Sequence, residues 1–301
     1  MISDESTDAD KQFRLGRNLL YGFGTEPDLA RGCYWLEKAA AQNHAKALAH
    51  LGSLYLYGHH YPADPQHGLQ LLQQSLEAGN MDALNTLGTF YLEERCPTTY
   101  DKMKGAGCFR QAAEAGDYSG LFNYGLWNEL EGNFAEAVKW FRLATQKKHA
   151  TAYYRLAGLL ADGKGIQQNV DEACELYEFA GEELQYPLGY FGYARLHDDP
   201  KYGRQDLAEA AGFYFLAADR GIAEAQLRYA ELAELGYGAP QAKYDAYVWT
   251  RVAMEHLPEE EMPRAEATLA RIKEKLGPWQ LRPAEQEAEK IIAFLKPYGR
   301  C

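Results

Sequence analysis

The sequence predicts an all-α chain, a right-handed α-solenoid of about seven antiparallel helix pairs closed by capping helices at the C-terminus. Three observations carry that prediction. A small residue following an apolar one recurs at Gly16, Gly52, Gly88, Gly125, Ala157, Ala194 and Ala230, at intervals of 36, 36, 37, 32, 37 and 36. After each of these marks comes a second pattern, small then mostly bulky then small, at spacings of three and four that are helical. Glycine loops stand between the two. One helix pair of this size cannot bury its apolar stripe alone, whereas a stack of pairs can, so a fixed interval is what such an array requires.

Each repeat opens with a first helix. Five positions before every mark but the first stand Ala47, Ala83, Gly120, Ala152, Gly189 and Ala225, so two small residues share a face and admit a close neighbour. The second helix is carried by Gly32/Trp35/Ala39, Gly68/Leu71/Ser75, Gly105/Cys108/Ala112, Ala137/Trp140/Ala144, Ala173/Leu176/Ala180, Ala210/Phe213/Ala217 and Ala246/Trp249/Ala253. Between the helices, Gly22-Phe23-Gly24, Gly163-Lys164-Gly165 and Gly236-Tyr237-Gly238 let the chain reverse. The fourth repeat departs, with 12 residues from Gly125 to Ala137 where the others have 16 or 17. Repeats are expected near 8–44, 45–80, 81–117, 118–149, 150–186, 187–222 and 223–257, so that 1–257 is the solenoid and 258–301 the cap. Two helical stretches are read in the cap, Pro263 to Leu276 and Pro283 to Leu295, each with a proline in its first turn.

The segments "ALAHLGSLYLYG" followed by "GLQLLQQSLEAGNMDA", and "AYYRLAGLLADGKGI" followed by "DEACELYEFA", resemble the Sel-one-like repeat family, relatives of the tetratricopeptide repeat. The resemblance covers about five-sixths of the chain. The shortened loop of the fourth repeat is similar to a plain tetratricopeptide repeat. Members of such a family serve as partner-binding modules, so the resemblance implies a first-helix inner wall that recognises protein.

Composition narrows the function classes. A net charge of −12 disfavours nucleic acid, whose phosphates need clustered Lys and Arg, and suits a basic protein partner instead. Aromatics at 13%, led by 22 tyrosines, exceed what a disordered chain carries. The five cysteines, Cys33, Cys96, Cys108, Cys174 and Cys301, are odd in number and unpaired in spacing, which reads as free thiols in a reducing compartment. No stretch approaches a membrane span. The expected location is cytoplasmic, or periplasmic if a leader has been removed ahead of Met1.

No catalytic constellation has the required spacing: there is no G-x-S-x-G, H-E-x-x-H, Walker loop or G-x-G-x-x-G, and no cofactor is implied. Gly163-Lys164-Gly165 reads as a repeat turn rather than a phosphate loop. The cluster His59, His60, His67 and Asp64 has zinc-type or nickel-type ligands, but adjacent histidines in a proline-containing loop read as solvated. The pairs Glu93/Glu94 and Asp198/Asp199 read as charged helix ends.

Offsets of three before and one, four and five after each mark place Tyr57, Asn85, Thr89, Glu93, Phe122, Glu129, Tyr154, Phe191, Arg195, Asp198, Glu231 and Glu234 on the inner wall. The alternative for Phe122, Tyr154 and Phe191 is packing between repeats, and for the polar members an ordinary solvated face. The function expected is a non-enzymatic adaptor, regulator or inhibitor that binds another protein or peptide segment, such as an immunity protein occluding a toxin-like effector. A scaffold of an envelope or secretion complex and a hydrolase acting on cell-wall-type substrates are the alternatives.

Overall fold

A computed structural model of the chain describes residues 7–93, 100–238 and 242–295, and among them every regular element is helical. Glu94, Cys96 and Cys301 lie outside the described residues. The chain divides into two compact units, one ending at Asn133 and the other beginning at Phe134. The division falls in the short loop of the fourth repeat.

The first unit holds α1 (Ala9–Tyr21), α2 (Leu29–Ala40), α3 (Ala45–Tyr57), α4 (Pro65–Glu77), α5 (Asp82–Tyr91), α6 (Lys102–Glu114) and α7 (Tyr118–Leu130). Odd-numbered helices are the first helices of their repeats. Here the register marks meet the small residues of the second helices. A Cβ on Gly16 would stand 2.9 Å from the carbonyl oxygen of Gly32, and one on Gly52 would stand 3.0 Å from that of Gly68. In the third repeat a Cβ on Gly105 would stand 3.0 Å from the carbonyl of Gly88. Glycine on glycine therefore brings these backbones closer than any side chain permits. Around the crossings Phe13, Cys33, Leu36, Ala47, Leu48 and Leu51 form one buried cluster, and Leu56, Leu72, Ala83, Leu87 and Phe90 a second.

The second unit holds α8 (Phe134–Gln146), α9 (Ala150–Asp162), α10 (Val170–Glu182), α11 (Pro187–Asp198), α12 (Leu207–Asp219), α13 (Ala223–Glu234), α14 (Ala242–Ala253), α15 (Met262–Lys275) and α16 (Pro278–Leu295). Its crossings use alanine: Ala157 and Ala173, Ala194 and Ala210, Ala230 and Ala246 are all fully buried. Tyr190, Tyr214, Tyr247, Trp249 and Ile272 fill a large core that joins the last two repeats to α15 and α16. The cap differs from the sequence expectation at one boundary. α16 begins at Pro278, and Pro283 lies inside it rather than at its start. Near the exposed beginning of the helix, the amide hydrogen bond that a proline forfeits costs less than at its centre, because water reaches the freed carbonyl.

The second helices start in the same way. Asp28, Asp64, Asp101, Asn169 and Asp206 cap α2, α4, α6, α10 and α12, each accepting the amide N–H three residues on. Each cap is worth about 1 kcal/mol. The backbone N–H of each capping residue also donates back to its own first helix, to the carbonyls of Leu19, Tyr55, Tyr91, Leu160 and His197, at 2.8 to 2.9 Å. Two interactions thus fix the reversal in five of the seven repeats. In the loop before α10, Gly163 and Gly165 take φ of 68° and 70°, which L side chains rarely adopt, and Lys164 pairs with Asp162 at 3.1 Å. That loop is a helix-to-helix turn.

Candidate functional site

On the first-helix wall of the first unit, the last turns of α3, α5 and α7 leave a groove of about 830 Å³. Tyr57, Thr89 and Glu93, three of the residues placed on the inner wall by their offsets, line it together. The rest of the lining is mostly apolar: Leu92, Phe109, Leu126, Trp127 and Leu130, with Asn123 as a further polar member. Leu130 is 77% exposed, unusual for a leucine at the end of a packed helix. Trp127 stacks parallel on Tyr124 at 5.9 Å, and Tyr57 meets the buried Phe90 edge-on at 6.2 Å, so both rings are held in place. The Glu93 carboxylate forms no ion pair or hydrogen bond among the described residues. An apolar trough with one uncommitted carboxylate is suited to an apolar segment that carries a cation.

The remaining inner-wall residues are engaged in other ways. Asn85 donates to Asp117 at 2.7 Å and accepts from Asn123 at 3.0 Å, joining α5 to α7. Phe122 and Glu129 are half-buried on α7 and lie outside the lining of the groove. In the second unit Tyr154 is half-buried against Tyr177 and Tyr186, and Phe191 packs on Tyr214. The Phe191 ring thus rests on the second helix of its own repeat, and Tyr154 rests on the second helix of its own repeat and on Tyr186 just ahead of α11, half-buried rather than exposed. Arg195 is exposed and lies over the Phe191 ring at 5.9 Å.

Three carboxylates of that wall are rungs from α11 to α13 and from α13 to the capping helix α15 rather than solvated groups. Asp198 on α11 receives both arms of the Arg228 guanidinium at 2.6 Å each. Glu231 on α13 is shared between Arg228 at 2.9 Å and Arg264 at 2.6 Å. Glu234 accepts from Arg271 at 3.0 Å and Lys275 at 2.7 Å. Burial alone would raise the Glu234 carboxyl, but the hydrogen bonds from Arg271 and Lys275 outweigh it and hold the group below its ordinary value. Periodicity locates these acids on one wall and carries no signal for the arginines, one repeat away, that take them up.

The fold also assembles a line of groups that spacing in the sequence does not announce. Cys174 Sγ on α10 lies 4.0 Å from His197 Nε2 on α11, and His197 Nδ1 lies 3.5 Å from Glu209 on α12. Tyr193 stacks on the imidazole and donates to Glu209 at 2.9 Å. The order is that of an activated thiol, but the environment is wrong for one. Burial, the largest influence, pushes the Cys174 thiol up from 9.0, so it stays protonated at neutral pH, and only 6% of the residue is exposed. This is a buried structural contact. The histidine-rich loop is dispersed as well: Asp64 caps α4, while the rings of His59, His60 and His67 lie against Tyr57, Tyr61 and Tyr55 in turn. No metal-ligand cluster is found among the described residues.

The Sel1 repeat pattern matches the chain seven times, over residues 12–44, 45–80, 82–117, 119–149, 150–183, 186–222 and 223–253. Among curated proteins, an exopolysaccharide production negative regulator of Rhizobium meliloti (strain 1021) is 32% identical over 151 residues, which are 45% of this chain and 55% of that protein. A protein of the same name from Rhizobium leguminosarum bv. viciae is 31% identical over 153 residues, 46% of this chain and 57% of that protein. The chain therefore spans about half the length of the curated relatives it matches. Among solved structures, a Sel1 repeat protein from Oxalobacter formigenes is similar at 22% identity and a TM-score of 0.61, over 71% of this chain and 89% of that one.

Proposed function

The chain belongs to the Sel1 repeat family, and from that premise we propose that it is a non-enzymatic regulator that holds an apolar, cation-bearing segment of another protein in the groove of its first unit. The observation that carries this reading is the groove itself, where exposed Leu130 and half-buried Trp127, Leu126, Leu92 and Tyr57 surround the uncommitted Glu93. Covering a leucine side chain is worth about 1.5–3 kcal/mol, and aromatic residues in such positions are frequent anchors of binding. The acidic chain adds long-range attraction for a basic partner. The names of the two curated relatives support a regulatory role in the same class. Occlusion of a basic, toxin-like effector uses the same groove and falls within the same reading.

A photo-crosslinking residue placed at Leu130 in the native organism tests this, with Met103 on the second helix α6, 76% exposed, as the control position. A specific protein adduct is expected from Leu130, lost on Trp127→Ala or Glu93→Lys, with none from Met103. Adducts from Met103 alone, or adducts from Leu130 that survive both substitutions in a folded chain, refute the assignment.

A further inference from the structure

The wall of the first unit has a second depression, towards the first turns of α3 and α5, with a volume of about 340 Å³. Its chemistry is opposite to that of the apolar groove. Arg17 enters from α1, Lys46 and His50 from α3, and Thr86 from α5. Neither Arg17 nor Lys46 forms an ion pair among the described residues, although the chain as a whole carries an excess of 12 negative charges. Their fields converge on one point, because after burial it is Arg17 and then Lys46 that hold the half-buried His50 imidazole below its ordinary value. Phe13, at 5.4 Å, and Tyr21, at 6.2 Å, flank that ring and fix its plane.

The polar remainder of the lining fits an anion better than a cation. The Thr86 hydroxyl makes no hydrogen bond among the described residues, so it is available as a donor. The acid in the wall, Asp82, is held above its ordinary value, first by burial and then by the neighbouring Asp117, against a lowering influence from Lys46.

We propose that this depression is an oxyanion site for a phosphoryl group, held by Arg17, Lys46, the His50 ring and the Thr86 hydroxyl. Donors converging from three helices suit a tetrahedral dianion, whereas a planar carboxylate meets fewer of them. This site is separate from the apolar groove and stands or falls without it.

The test follows the His50 ring resonances of the full chain at fixed pH and fixed ionic strength while inorganic phosphate or O-phosphoserine replaces chloride. A saturable shift is expected, with a dissociation constant on the order of millimolar. The double substitution Arg17→Gln and Lys46→Gln is expected to weaken it by about tenfold or more, and Lys38→Gln on α2 to leave it unchanged. Tighter binding of O-phosphoserine identifies a phosphorylated residue as the source, and equal or tighter binding of free phosphate a small anion; either supports the site. Acetate that binds as well as phosphate overturns the phosphoryl assignment. So does the lack of a saturable shift in both arms, or a shift that persists in a double variant whose thermal unfolding matches the wild type.

Discussion

Alanine in place of glycine has opposite predicted effects at two positions of the first unit, and the contrast isolates the close helix crossing. Gly107 lies within α6, and a Cβ there would meet nothing within 4 Å. Gly107→Ala is therefore expected to gain the intrinsic helix preference, about 0.8–1.0 kcal/mol. Gly52 lies within α3 and has the same intrinsic gain to offer, but its Cβ would stand 2.9 Å from Leu72 Cγ and 3.0 Å from the Gly68 carbonyl oxygen. The carbonyl belongs to a hydrogen-bonded helix and cannot rotate away, so the helices must separate. Overfilling of this kind costs about 1–3 kcal/mol, which leaves Gly52→Ala less stable by about 1 kcal/mol and the two variants about 2 kcal/mol apart. For a unit of this size that corresponds to roughly 5–8 °C between their melting midpoints. Thermal and urea unfolding followed by circular dichroism measures the difference. If Gly52→Ala melts at or above Gly107→Ala, the contact assigned to the register marks is wrong.

Three further outcomes are expected. Arg228→Ala removes both bonds to Asp198 and one to Glu231, and urea unfolding is expected to show a loss of about 2 kcal/mol, with Arg228→Lys restoring only part because the two-armed contact is lost. Glu234 is held below its ordinary value of 4.5, so its contribution is complete above that pH and disappears as pH falls through the lower folded value. Glu234→Gln is thus expected to lower stability at neutral pH and to converge with the wild type under acid, and a constant gap at every pH would contradict the pairing. Leu130→Ala is expected to weaken the captured partner by about 1–2 kcal/mol in direct binding measurements and to leave folding nearly unchanged, because the side chain is mostly in water.

Residue pattern alone made the repeat legible. Gly16, Gly52 and Gly88 were placed at close contacts by interval, and the described Cβ positions explain why no larger residue stands there. Long-range side-chain reach was not legible. Asp198 and Arg228 are 30 residues apart, and periodicity puts them on neighbouring helices without saying that one long side chain spans the gap. The same limit hid the line from Cys174 through His197 to Glu209, whose members come from three helices. The groove was half legible: the offset of five that gives Tyr57 and Glu93 also gives Leu130, but an aliphatic residue there reads as core unless its exposure is known. Pattern places a helix start at Pro283, because a proline in a helical pattern reads as a start, whereas the chain already becomes helical at Pro278.

The doubly fastened reversal between first and second helices has a consequence for how such a chain changes over time. Between the carbonyl of Leu160 and the cap at Asn169, both ends of the loop are fastened by backbone and cap, and Gly163 and Gly165 are the residues between them whose identity the turn requires. Lengthening a seven-residue loop of this kind by ten residues adds only about 0.8 kcal/mol of closure entropy. Insertions that keep the two fastenings and the left-handed glycines therefore cost folding little, and a lineage can try out recognition elements there without re-evolving the stack. The exception is the turn of Glu131 to Asn133, where three residues leave no slack and variation is confined to what a tight turn accepts.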